Sequence, residues 1–164
     1  MKRETYIKMS DFVRKHRYGE CIVKYGNIFV TRVVYVAFFM LLATLLLQKD
    51  ERMIRVVLVT GISFILVSIA RHFINAPRPY TLYDFDSIVK KSKAGESMPS
   101  RHVFSTFVIG MAFFYTYPII GIIIFVDGIL MCFGRVIAGV HFPKDVITGA
   151  MIGILSGVIG FYII

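Results

Sequence analysis

The residues able to do chemistry fall in three short stretches: Arg71 and Arg78 in "ARHFINAPRPY", Ser100, Arg101 and His102 in "MPSRH", and Arg135, His141 and Asp145 in "GRVIAGVHFPKD". Arginine suits a phosphate group, because its planar fork donates paired hydrogen bonds and never loses its charge. Two histidines add a nucleophile or base and an acid that titrate near working pH. Pro143 fits the first turn of a helix, which leaves His141 just outside it and Asp145 within that turn. A carboxylate so placed can accept a hydrogen bond from one imidazole nitrogen and leave the other free to attack. Pro99 and Ser100 stand ahead of an apolar run, where unpaired backbone N–H groups and the helix dipole favour an anion. Ser100 there either caps the helix or gives its hydroxyl to the anion, and His102 in the first turn leans toward it.

What must position these groups is a membrane bundle. Apolar side chains make up 57% of the 164 residues and charged ones 18%, too greasy a balance for a soluble domain; the mean hydropathy is +0.72. Apolar blocks run from about Ile28 to Leu47, Met53 to Ile74, His102 to Tyr117, Ile119 to Ala138 and Val146 to Ile164. The fold class expected is all-α, a polytopic bundle of about five transmembrane helices. The third block is short for a span, and Pro118 ends it with a turn. Residues 1–26 mix Phe12, Val13 and Ile22 with Arg14, Lys15, Arg17 and Lys24, which reads as an amphipathic helix at the interface, followed by one transmembrane domain over 27–164. No signal-peptide cleavage pattern follows the start. Each span crosses once, so the segment 75–101 and the segment "AGVHFPKD" emerge on the same side. The three chemical stretches therefore share one membrane surface.

The net charge of +9 invites a nucleic-acid reading, yet the positives lie beside spans and no aromatic-interleaved soluble module carries them. An anionic headgroup or substrate accounts for them, and no nucleic-acid partner is expected. Cys21 and Cys132 have neither disulfide nor metal-ligand spacing.

Taken singly, each residue has a plainer reading. Arg71 serves as a snorkelling anchor, Arg78 as loop, Asp145 as a complement to the dipole, worth about 0.3–1 kcal/mol. His16 and His72 read as structural, and Lys90, Lys91 and Lys93 as a solvated surface. Asp127, within the fourth block, should face the bundle interior, protonated or paired, because a lone carboxylate is costly in lipid. Jointly the motif residues are different, since independent anchors have no reason to fall on one face in these combinations.

In these residues the chain resembles the type-2 phosphatidic acid phosphatase superfamily of membrane lipid phosphatases, which shares its site with vanadium haloperoxidases. The family pattern KxxxxxxRP, PSGH and SRxxxxxHxxxD is matched in order and internal spacing by "RHFINAPRP", "PSRH" and "GRVIAGVHFPKD". The resemblance implies that His141 is the nucleophile, forming a phosphohistidine, that Asp145 orients it, and that His102 protonates the leaving oxygen. It implies that Arg71, Arg78, Ser100 and Arg135 cradle the phosphate, and that neither metal nor other cofactor is needed. Three positions depart from the pattern. Arg71 replaces a lysine, and Gly134 replaces a serine. Arg101 replaces a glycine, so its side chain turns aside or joins the phosphate-binding set. Family members commonly have six spans, and the one wanting here would be the first, which carries no motif.

The expected activity is that of a metal-independent, integral membrane phosphatase acting on a lipid phosphate or diphosphate, of the polyprenyl diphosphate or the phosphatidate and phosphatidylglycerol phosphate class. A lipid phosphotransferase and a non-catalytic binder or transporter of anionic lipids are the alternatives. Orientation is in conflict: eight Lys and Arg between Lys2 and Arg32 on the site's side place the pocket in the cytoplasm by the positive-inside rule, whereas the family resemblance places it outside. The family orientation is the reading adopted.

Overall fold

The computed structural model describes residues 1–89 and 94–164. Lys90, Lys91 and Lys93, expected as solvated surface, lie outside the described residues. The described chain is helical: α1 (Arg3–Lys15), α2 (Gly19–Leu47), α3 (Arg52–Ile74), the short α4 (Pro79–Tyr83), α5 (Arg101–Thr116), α6 (Pro118–Ile137) and α7 (Pro143–Val158), which runs on through a wider turn over Ile159–Ile163.

Among the described residues, four helical stretches are long and apolar enough to cross a membrane, containing α2, α3, α6 and α7. The third apolar block, His102 to Tyr117, forms α5, and its shortness has a structural reason. At 16 residues it rises about 24 Å, and it sits at the centre, packed on α2, α3, α6 and α7. Twelve of those residues are buried, so this helix meets protein where the others meet lipid. The outer surface carries the complementary signature: Phe39, Met40, Ile54, Leu66, Ile123, Leu130 and Met151 are exposed apolar side chains, as a hydrocarbon solvent requires.

Helix α7 approaches α5 through a stripe of small residues. A Cβ on Gly149 would come within 2.7 Å of the Ser100 carbonyl oxygen, and one on Gly153 within 2.8 Å of the Phe104 carbonyl oxygen. Close backbone contact of this kind replaces the hydrophobic effect, which does not act between helices in lipid. It also brings the start of α5 against the start of α7. Away from the site the bundle is filled by Val34, Leu41, Leu45, Val56, Phe113 and Phe161. Pro118 occupies the first turn of α6, as its fixed φ and missing N–H allow, and Tyr117 alone separates α5 from α6.

The amphipathic start is one helix, α1, and the chain turns at 16–18, so residues 19–26 belong to the first long helix. That helix has 29 residues, about 43 Å, more than the roughly 30 Å of hydrocarbon requires. The buried face of α1 is Tyr6, Ser10 and Val13. It lies over the loops that carry the chemistry: Arg3 Nε donates to the Tyr83 carbonyl at 2.8 Å, and Arg14 reaches the Asp86 carboxylate at 2.8 Å and Glu20 at 2.9 Å.

Candidate active site

Each motif residue is delivered by the end of an element. Arg71 lies in the last turn of α3 and Arg78 caps α4, on either side of a turn in which Asn75 takes the left-handed conformation. Ser100 is the N-cap of α5 and His102 lies in that helix's first turn. Arg135 closes α6, and His141 and Asp145 flank the start of α7. Between Arg135 and His141 the chain reverses at Gly139, whose φ of 74° disfavours a side chain.

These ends converge through specific bonds. The Ser100 N–H donates to the Asp145 carbonyl at 2.9 Å, joining the second stretch to the third. Arg71 Nη1 donates to the Pro99 carbonyl at 3.0 Å, and Arg78 Nη1 to the Val140 carbonyl at 3.2 Å. Arg78 Nε donates to Gly95 O at 3.1 Å. Three guanidiniums, from Arg71, Arg78 and Arg135, are buried at 6%, 3% and 6% exposure, which among charged side chains calls for a partner. Glu96 is the carboxylate nearest Arg71, 3.8 Å from its Nε.

Buried polar atoms without a hydrogen-bond partner cluster here. They include Nε of Arg71, Nε of Arg135, Oγ of Ser100 and Oδ1 of Asp145. Ser100 makes no side-chain cap bond. Buried donors left unsatisfied cost roughly 1–3 kcal/mol each. Three of these four atoms are donors, from Arg71, Arg135 and Ser100, and such donors suit an anion.

His141 is 1% exposed. Its Nδ1 faces Ser97 Oγ at 3.4 Å and Asp145 Oδ2 at 3.7 Å. Asp145 Oδ2 also accepts from Ser97 Oγ at 2.5 Å and from the Phe142 N–H at 2.9 Å. Burial pushes the His141 imidazole down to about 4, against the opposing pull of the Asp145 carboxylate, and nearby Arg78 and Arg71 reinforce the lowering. The ring is therefore neutral at ordinary pH and keeps a lone pair. The Tyr6 hydroxyl donates to the His141 carbonyl at 3.1 Å, and burial holds that phenol well above its usual range, so it stays a donor.

Four participants escaped the sequence reading: Ser97, Tyr6, Asn27 and Thr31. Thr31 Oγ1 accepts from Arg135 Nη2 at 3.1 Å, and Asn27 Nδ2 donates to the Gly134 carbonyl at 3.1 Å. Asn27 and Thr31, four apart and so on one face of α2, were the available signal for the latter two. Arg101 opens α5, close enough for its charge to act on Arg71 and Arg78. It is exposed, and its guanidinium lies 5.6 Å from the Phe64 ring centre, so its side chain has turned aside onto α3. Asp127 is half-buried, with no hydrogen-bond partner for Oδ2.

A cavity of about 460 Å³ between Met1, Pro77, Tyr83 and Pro143 opens beside Asp145. A larger one of about 670 Å³ lies toward the other membrane face between α3 and α7, with no motif residue in its lining. Among the described residues no three His, Cys, Asp or Glu side chains come together as metal ligands.

The model of the PAP2 superfamily matches residues 52–164, which hold all three motif stretches. The chain belongs to that superfamily. The undecaprenyl-diphosphatase BcrC of Bacillus subtilis is 26% identical over 138 residues, spanning 82% of this chain and 71% of that protein. An undecaprenyl-diphosphatase of Sulfolobus acidocaldarius is 29% identical over 117 residues, 68% of this chain and 55% of its own length. The crystal structure of LpxE from Aquifex aeolicus superposes with a TM-score of 0.74 at 27% identity, covering 96% of this chain and 92% of LpxE. A transmembrane PAP2-type phosphatidylglycerolphosphate phosphatase of Bacillus subtilis shares the fold, with a TM-score of 0.62 at 22% identity over 95% and 90% of the two chains. The membrane bundle is thus the PAP2 fold, and the chain is an integral membrane protein.

Proposed function

We propose that this PAP2 protein is a membrane lipid phosphatase that hydrolyses a polyprenyl diphosphate through a phosphohistidine on His141. The observation carrying this is the buried, neutral His141, held beside Asp145 at the meeting point of three helix ends that supply Arg71, Arg78 and Arg135. Two relatives named undecaprenyl-diphosphatase support the substrate class.

The mechanism follows from the groups present. The lipid tail stays in the bilayer while its terminal phosphate enters the guanidinium cluster, where Ser100 Oγ and the N-terminus of α5 add donors. His141 Nε2 attacks phosphorus. The bond to the bridging oxygen breaks, and His102 gives that oxygen its proton. The covalent intermediate carries positive charge on the imidazole, which Asp145 balances. Water then attacks, giving its proton to His102, and inorganic phosphate leaves with His141 restored. The buried arginines stabilise charge on the equatorial oxygens throughout.

The site is proposed to face away from the cytoplasm. Part of the positive charge that argues otherwise is already paired on the site's own side, where Arg14 contacts Glu20 and Asp86. Cys21 is exposed near the start of α2 on that side. A membrane-impermeant maleimide should label Cys21 in intact cells, and protection until lysis would place the site inside.

The activity test is phosphate release from undecaprenyl diphosphate, phosphatidylglycerol phosphate and phosphatidic acid in detergent with chelator present. Release from the diphosphate above the others, abolished in His141→Ala, is the expected result. Equal release by both proteins overturns the mechanism, and no release from any substrate points to a lipid binder.

A further inference from the structure

We infer that Ser97 is a positioning residue of this site, its hydroxyl joining Asp145 to Nδ1 of His141 so that Nε2 is the nitrogen presented to phosphorus. This rests on the reading of His141 as nucleophile.

The geometry leaves the aspartate without a direct bond to the ring. His141 Nδ1 and Asp145 Oδ2 are 3.7 Å apart, beyond hydrogen-bond range. Ser97 Oγ lies between them, 2.5 Å from Asp145 Oδ2 and 3.4 Å from His141 Nδ1. All three side chains are buried, with Ser97 at 0% exposure, so solvent does not supply the link.

Proton counting then fixes the ring. An ionised carboxylate only accepts, and a hydroxyl has one proton to give. Ser97 gives its proton to Asp145, which turns a lone pair toward Nδ1. Nδ1 must carry hydrogen to use that lone pair, and Nε2 is left unprotonated. The longer Nδ1 contact is the one that should shorten during reaction, because apo catalytic contacts tighten as charge develops. When the bond from Nε2 to phosphorus forms and the bond to the leaving oxygen breaks, the ring becomes positive. Its Nδ1–H then donates more strongly to Ser97 Oγ, which is itself polarised by Asp145. No proton moves along this line, and the leaving oxygen takes its proton from His102.

The hydroxyl is not what tethers this segment. The Ser97 backbone N–H donates to the Ala76 carbonyl at 2.8 Å, and Asp145 has a second donor in the Phe142 N–H. Alanine at 97 keeps both bonds and removes only the link.

The test uses the full-length protein in detergent with farnesyl diphosphate as the probe, comparing the parent with Ser97→Ala, Ser97→Thr and His141→Ala. Ser97→Ala should lower kcat by about 10- to 100-fold with KM within about threefold, as expected for a misaligned nucleophile, and Ser97→Thr should recover most of the loss. Ring-15N-histidine NMR should show His141 as the Nδ1–H tautomer in the parent and a mixture in Ser97→Ala. Parental kcat in Ser97→Ala, or an Nε2–H tautomer in the parent, overturns the inference even if the variants fold poorly. Unchanged release by His141→Ala overturns instead the nucleophile reading beneath it, so the two failures are told apart.

Discussion

The hydroxyl of Tyr6 donates a hydrogen bond to the backbone carbonyl of His141 at 3.1 Å, across 135 residues of sequence. The first helix thereby braces the loop that holds the proposed nucleophile, inside a cluster where the Tyr6 ring stacks on Phe85 at 5.4 Å and meets Phe142 edge-on at 5.9 Å. Tyr6→Phe keeps the rings and strands the buried carbonyl. It should cost about 1–2 kcal/mol of stability and lower kcat/KM severalfold. Thermal unfolding in detergent and steady-state kinetics on the same sample check both.

His141 predicts an acid dependence of stability. Its value near 4 in the fold lies below the ordinary histidine value of 6.5, so the unfolded chain binds a proton that the fold does not between those limits. Stability is therefore full above pH 6.5, falls as the pH drops toward 4, and levels off below, a total of about 3 kcal/mol. Unfolding midpoints at pH 4.5 and 7.5 should differ more in the parent than in His141→Gln.

Gly134 stands where the family pattern has serine, and the space is taken. A Cβ there would lie 3.0 Å from Asn27 Oδ1. Gly134→Ser should push Asn27 away and disturb the neighbouring Arg135, lowering kcat/KM by about tenfold or 1.4 kcal/mol. Asn27→Ala combined with Gly134→Ser should recover much of it, a non-additivity expected only of residues in contact. Additive losses would mean that the two positions act separately.

Arg101 also departs from the pattern, and its guanidinium rests over Phe64. An exposed contact of this type is worth about 0.5–1 kcal/mol. Arg101→Gly should leave KM for a lipid diphosphate within about threefold of the parent, in line with that energy, while Arg135→Ala should raise it by tenfold or more, about 1.4 kcal/mol. A matching rise in Arg101→Gly would put this side chain on the phosphate.

Sequence alone determined the solvent and the convergence. Runs of apolar residues long enough for a bilayer set the helices, and counting crossings put residues 71–78, 100–102 and 135–145 on one surface, because hydrocarbon requires a single spanning segment to satisfy its own backbone hydrogen bonds, as a helix does. Residue chemistry then pointed to phosphate. Tertiary structure decided what local pattern does not encode. It made the shortest apolar block the central helix, since α5 is enclosed by protein and needs neither the length nor the greasiness of a lipid-facing span. It laid Arg101 over Phe64 and brought Ser97, Asn27, Thr31 and Tyr6 in, side chains whose roles depend on partners 44 to 135 residues away. Such roles are fixed by packing between helices, and a one-dimensional spacing carries no record of which faces meet.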